Sequence, residues 1–79
     1  MGKWVLFKDL YVNGRLGVYQ EKPDICDSKE EALATFSDAF SYMLGRKPRV
    51  KQVERLLKKG CVYARSGRCI KYRFTLIRK

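Results

Sequence analysis

The chain has 79 residues, with 18 Lys and Arg against 8 Asp and Glu, three cysteines and no histidine. That length allows one domain with a core near the lower limit for independent stability, and a hydrophobic content of 46% argues against disorder throughout. No apolar run is long enough to span a bilayer, and the stretch Trp4-Val5-Leu6-Phe7 meets Lys8 and Asp9 with no small-residue cleavage site after it, so a cytoplasmic protein with no membrane partner is expected.

Trp4 to Lys22 reads as a β-hairpin. Asn13-Gly14 is the pair that a type I′ turn favours, because both central residues need positive φ. Around that turn Val5, Phe7, Tyr11, Leu16 and Val18 share one face, and Trp4, Leu6, Leu10, Val12 and Tyr19 the other. Both faces are apolar enough to meet a core. Pro23 to Asp27 reads as a connector. Ser28, with Glu31 three residues later, makes a capping box that opens a helix running to about Leu44 and stopping at Gly45. Ala32, Leu33, Phe36, Ala39, Phe40, Met43 and Leu44 fall in its apolar stripe, and Glu30, Ser37, Asp38 and Ser41 lie opposite.

Gly45 to Pro48 is a short link, and Pro48 suits the first turn of a second helix, about 48–59, which Gly60 ends. On a helical wheel Val50, Val53, Leu56 and Leu57 face inward, and Lys51, Gln52, Arg55, Lys58 and Lys59 face outward. Cys61 to about Arg78 forms a second hairpin around Ser66-Gly67. Tyr63, Ile70, Tyr72, Phe74 and Leu76 share one face of it, Lys71, Arg73 and Thr75 the other, and Arg65 and Arg68 flank the turn. The expected fold class is α+β: a β-hairpin, two helices in a helix-turn-helix-like arrangement and a C-terminal β-hairpin, ββααββ, in one small basic domain over residues 1–79.

The charge is segregated. Residues 1–44 carry five basic and seven acidic side chains, whereas residues 45–79 carry thirteen basic side chains and the single acid Glu54. Solubility does not require such segregation, and a phosphate-rich partner rewards it. A short link followed by a basic helix and a basic hairpin is what a helix-turn-helix with a wing needs, since the major groove admits one helix whose long side chains reach phosphates and base edges. In this arrangement the first helix supports the second. Lys51, Gln52, Arg55 and Lys59 face the groove, Lys47 and Arg49 sit at the positive end of the helix, Arg65 and Arg68 touch the flanking backbone, and Lys58, Lys71 and Arg73 are further candidate nucleic-acid-binding residues. Double-stranded DNA is the expected partner.

The stretch from Asp27-Ser28-Lys29-Glu30-Glu31-Ala32 through Val50-Lys51-Gln52-Val53-Glu54-Arg55-Leu56-Leu57-Lys58-Lys59-Gly60, closing with Tyr72-Arg73-Phe74, resembles the small helix-turn-helix DNA-binding modules associated with homing endonucleases. The link and first helix are longer here than in those modules, and no glycine precedes Tyr72. The resemblance implies that helix 48–59 is the DNA-reading element and that the module itself does no catalysis.

Aromatic and basic residues interleave in Tyr63-Ala64-Arg65 and Lys71-Tyr72-Arg73-Phe74, a pattern that serves sheet-based RNA and single-strand binders. Strict alternation equally suits the core face of a hairpin, so RNA stands as the runner-up ligand. An enzyme is not expected: no histidine is present to act as a base, and no nucleophile-elbow or phosphate-loop pattern occurs. Asp24, Asp27 and Lys29 superficially suggest a metal-dependent nuclease, but they share one connector and the start of a helix. Cys26, Cys61 and Cys69, odd in number and without C-x-x-C spacing, are expected as small packed hydrophobes in a reducing compartment, with no metal and no cofactor. Two further readings stay open: a phage- or mobile-element-type inhibitor that binds a host protein, and a homodimer pairing through the Trp4 edge strand.

Overall fold

The computed structural model describes residues 2–17 and 22–79. Strand β1 (Trp4–Val12) is followed by Asn13 and Gly14 at positive φ, 52° and 78°, and the chain reverses there as a type I′ turn requires. Strand β2 (Arg15–Leu16) returns antiparallel with Tyr11 opposite Leu16. The expected faces of Val18 and Tyr19 lie outside the described residues. The segment read as a connector holds a third strand instead: β3 (Asp24–Cys26) pairs with the start of β1, Leu6 opposite Asp24 and Trp4 opposite Cys26. β1 is nine residues long, so a two-residue partner leaves backbone N–H and C=O groups along the same edge unmet, and β3 supplies partners for them.

Helix α1 (Lys29–Leu44) begins and ends as its local sequence dictates. Ser28 Oγ accepts from the Glu31 N–H at 3.1 Å, and the Glu31 carboxylate accepts in turn from the Asp27 N–H at 3.3 Å. Helix α2 (Val50–Lys59) starts two residues later than expected, with Arg49 at its N-cap and Pro48 ahead of it. Two expected inward positions are corrected: Val50 is 72% exposed and Leu57 40%. The helix is rolled so that Leu56 is fully buried and Val53 packs beside it, which carries Val50 and Leu57 to the rim.

Strands β4 (Cys61–Ser66) and β5 (Ile70–Arg78) make the second hairpin. β5 also pairs with β1 along its length, so the sheet runs β2-β1-β5-β4 with β3 beside β2 on the outer edge of β1, antiparallel throughout. The architecture is therefore the α+β arrangement expected, completed by β3 and by the central β1–β5 pairing. One face of the sheet takes both helices, α1 packing on β1 and β3 and α2 on β4 and β5. Each helix packs chiefly on the sheet. Leu6, Val62, Ala64, Phe74 and Leu76 meet Ala32, Phe36, Phe40 and Leu56 in one core. Phe36, Phe40 and Phe74 form its centre, with ring centroids 5.1–5.7 Å apart. Burying each such ring contributes roughly 1.5–3 kcal/mol.

The second hairpin turns differently from expectation. Ser66 pairs with Ile70, leaving the three-residue loop Gly67-Arg68-Cys69, and Tyr63 pairs with Arg73. A two-residue turn at Ser66-Gly67 would instead place Tyr63 opposite Ile70. The change in register is odd, so it moves Tyr63 from the core face to the face of Lys71 and Arg73. The cysteine expectation is corrected in part as well: Cys26 is buried and its Sγ lies 3.6 Å from Thr35 Oγ1, but Cys69 is exposed in this loop.

Candidate nucleic-acid interface

The expected contact residues fall into two groups joined at strand β4. The first is a cationic ridge along α2. Lys51, Arg55, Lys58 and Lys59 are exposed on its outer arc, and Lys47 and Arg49 are exposed ahead of its first turn. With α2 rolled onto Leu56, this arc turns away from the sheet. Arg46, Arg49, Gln52 and Arg55 line an open groove between the start of α2 and the β4 residues Val62 and Tyr63. Among the described residues no ion pair neutralises these ridge cations, and Glu54 is the one acidic residue on α2. Gln52 is engaged differently from the rest. Its Oε1 accepts from the Arg49 N–H at 2.8 Å and closes the N-terminal turn of the helix. Arg46, not among the expected residues, belongs to this group too, its guanidinium carbon 5.8 Å from the Phe40 ring centroid.

The second group lies on the sheet face that, among the described residues, no element covers. Arg65, Lys71 and Tyr11 stand side by side across β4, β5 and β1, and Tyr63, Arg73 and Asp9 form the adjacent row. Lys71 Nζ is 4.7 Å from the Tyr63 ring centroid and 5.6 Å from that of Tyr11, so the ammonium sits between two aromatic faces. Arg73 donates to Asp9 Oδ2 from Nε at 3.1 Å and from Nη2 at 2.8 Å, while its guanidinium carbon lies 5.4 Å from the Tyr11 ring centroid. The hydrogen bond to Asp9, followed by one to Tyr63, pushes the Arg73 guanidinium above its already high value. Arg73 is thereby committed within the protein, and Lys71, Arg65 and Arg68 are the cations this face offers to a ligand. At the loop end Arg65, Arg68 and Lys71 border a shallow hollow shared with Asn13 and Gly14 of the first hairpin.

Sequence reasoning named the cations of both groups except Arg46 and noted Tyr63 among interleaved basic residues, but missed Tyr11 and the pairing that brings the two rings to one face. Tyr11 and Tyr63 share a face because of strand register across β5, and a loop one residue longer or shorter separates them. At the opposite end of the same face Ile25 and Ile77 are exposed beside Val5. Among the described residues no helix is long and apolar enough to cross a membrane. Compared with family models, curated proteins and solved structures, the chain matches none.

Proposed function

We propose that this protein binds double-stranded DNA as a non-enzymatic regulator, with the α2 ridge and the β4–β5 loop following the phosphate backbone. The observation that carries the reading is the exposed cationic arc of Lys51, Arg55, Lys58 and Lys59, continued by Arg46 and Arg49 and free of ion pairs among the described residues. Lysine and arginine without interleaved rings meet phosphates, and phosphates are what an intact duplex presents continuously. A ten-residue helix is long enough to lie in a major groove, and Arg65 and Arg68 at the loop reach the flanking backbone.

The test is fluorescence anisotropy with a random duplex over a salt series. Binding is expected to weaken with a log–log slope of about −0.9 for each phosphate neutralised. Arg55→Glu combined with Lys59→Glu is expected to abolish duplex binding without loss of the folded spectrum, since both side chains are exposed. Absence of duplex binding even at low salt overturns the reading and favours a protein-directed inhibitor.

A further inference from the structure

We propose that the uncovered face of the sheet, at its Tyr11–Lys71–Tyr63 end, is a stacking platform for an unpaired nucleic-acid strand, a second binding surface distinct from the α2 ridge. A duplex hides the faces of its bases within the stack, so the exposed Tyr63 ring and the half-buried Tyr11 ring add nothing for it. An unpaired strand offers both π-faces and phosphates, and this surface presents a partner for each.

Tyr63 is 49% exposed and stands in one row with Arg73 and Asp9. Tyr11 stands on β1, two strands away, which sets the two rings laterally about 10 Å apart. That separation is too wide for both rings to hold adjacent stacked bases, and it leaves room for Lys71, which lies between them. The order ring, ammonium, ring matches base, phosphate, base along a splayed strand.

Charge favours this occupant over a basic or apolar protein segment, and the rings beside the cations favour it over an acidic one. Arg65 flanks Lys71 on one side and Arg68 stands beyond it at the loop. Asp9 is the acid of this region, and Arg73 already neutralises it at 2.8 Å. Tyr63 also borders the groove beside α2, so the two surfaces meet across the β4 edge. A strand leaving a duplex on the ridge would pass Tyr63 to reach the sheet.

The experiment uses the full chain with labelled oligothymidylate, oligouridylate and a random duplex at one fixed salt concentration. Tyr63→Ala is expected to weaken both single strands about tenfold, the loss typical of one stacked base, with duplex affinity unchanged and Tyr63→Phe retaining parental binding. Tyr63→Trp supplies a signal specific to contact: oligothymidylate should quench its added emission and leave that of a Tyr42→Trp control, on the exposed side of α1, unaltered. Single-strand binding that ignores Tyr63→Ala but vanishes with Arg55→Glu/Lys59→Glu overturns the platform and leaves duplex binding on α2 standing. Failure of both oligonucleotides to bind, with the duplex still bound, does the same.

Discussion

Lys8 stands in β1 among residues that face the helices, at 8% exposure. An ammonium removed from water costs several kcal/mol unless it is paired and hydrogen-bonded, and Lys8 Nζ donates to Asp24 Oδ2 at 2.7 Å. β3 is the element that carries Asp24 to this place, opposite Leu6. Asp24→Ala is expected to lower stability by roughly 1–3 kcal/mol in a urea titration, the range for losing a hydrogen bond to a charged group. Asp24 is partly exposed, which argues for the lower part of that range. An unchanged urea midpoint would mean that the ammonium is satisfied without Asp24. In the sequence, Lys8 reads as the end of an apolar run. Its burial was illegible there because its partner lies in a segment too short and too polar to announce itself as a strand.

Both ends of α1 and the C-terminal end of α2 were legible because capping is local, whereas α2 starts at Val50 and not at Pro48. Ser28, Glu31, Gly45 and Gly60 act through neighbours within four residues, and each stands where expected. The roll of α2 was less legible, since Val50 and Leu57 are as apolar as Leu56 and only the sheet selects among them. Gly60 shows how an end becomes a joint. It takes φ of 76°, its C=O accepts from the Leu76 N–H at 2.8 Å, and an added Cβ would lie 3.3 Å from the Leu76 carbonyl oxygen. Gly45 has a similar φ of 70° with open space around it. Alanine at either position meets the left-handed penalty of about 1 kcal/mol. Gly60→Ala is expected to cost more than Gly45→Ala in thermal unfolding, because it also crowds the β5 backbone. Equal losses would show that β5 shifts freely to make room.

For the molecule as a whole, charge segregation in the sequence becomes spatial segregation by way of the sheet. The acidic residues Glu30 and Asp38 are exposed on α1 at the β1–β3 side, and the basic ridge of α2 lies at the β4–β5 side. This much follows from residue order. The aromatic platform does not, because it is assembled from Tyr11 and Tyr63 by pairings on either side of β5, and no periodicity in one segment encodes a pairing between three.

The same central pairing sets how the molecule comes together in time. Leu6 lies opposite Leu76 and Tyr11 opposite Lys71, so the middle of the sheet joins residues separated by most of the chain. Closing so long a loop costs entropy before any contact across it forms, whereas α1 and the β4–β5 hairpin need only near neighbours. Chains dominated by such distant pairings refold in milliseconds to seconds and not in microseconds. Stopped-flow refolding from urea is expected to fall in that slower range when read by Trp4, which lies between Cys26 of β3 and Arg78 of β5 and not on the edge strand expected from the sequence. Leu6→Ala is expected to slow it if docking of β1 is the limiting step. Completion within the mixing time would show that the two distant strands are already held near each other in the unfolded chain.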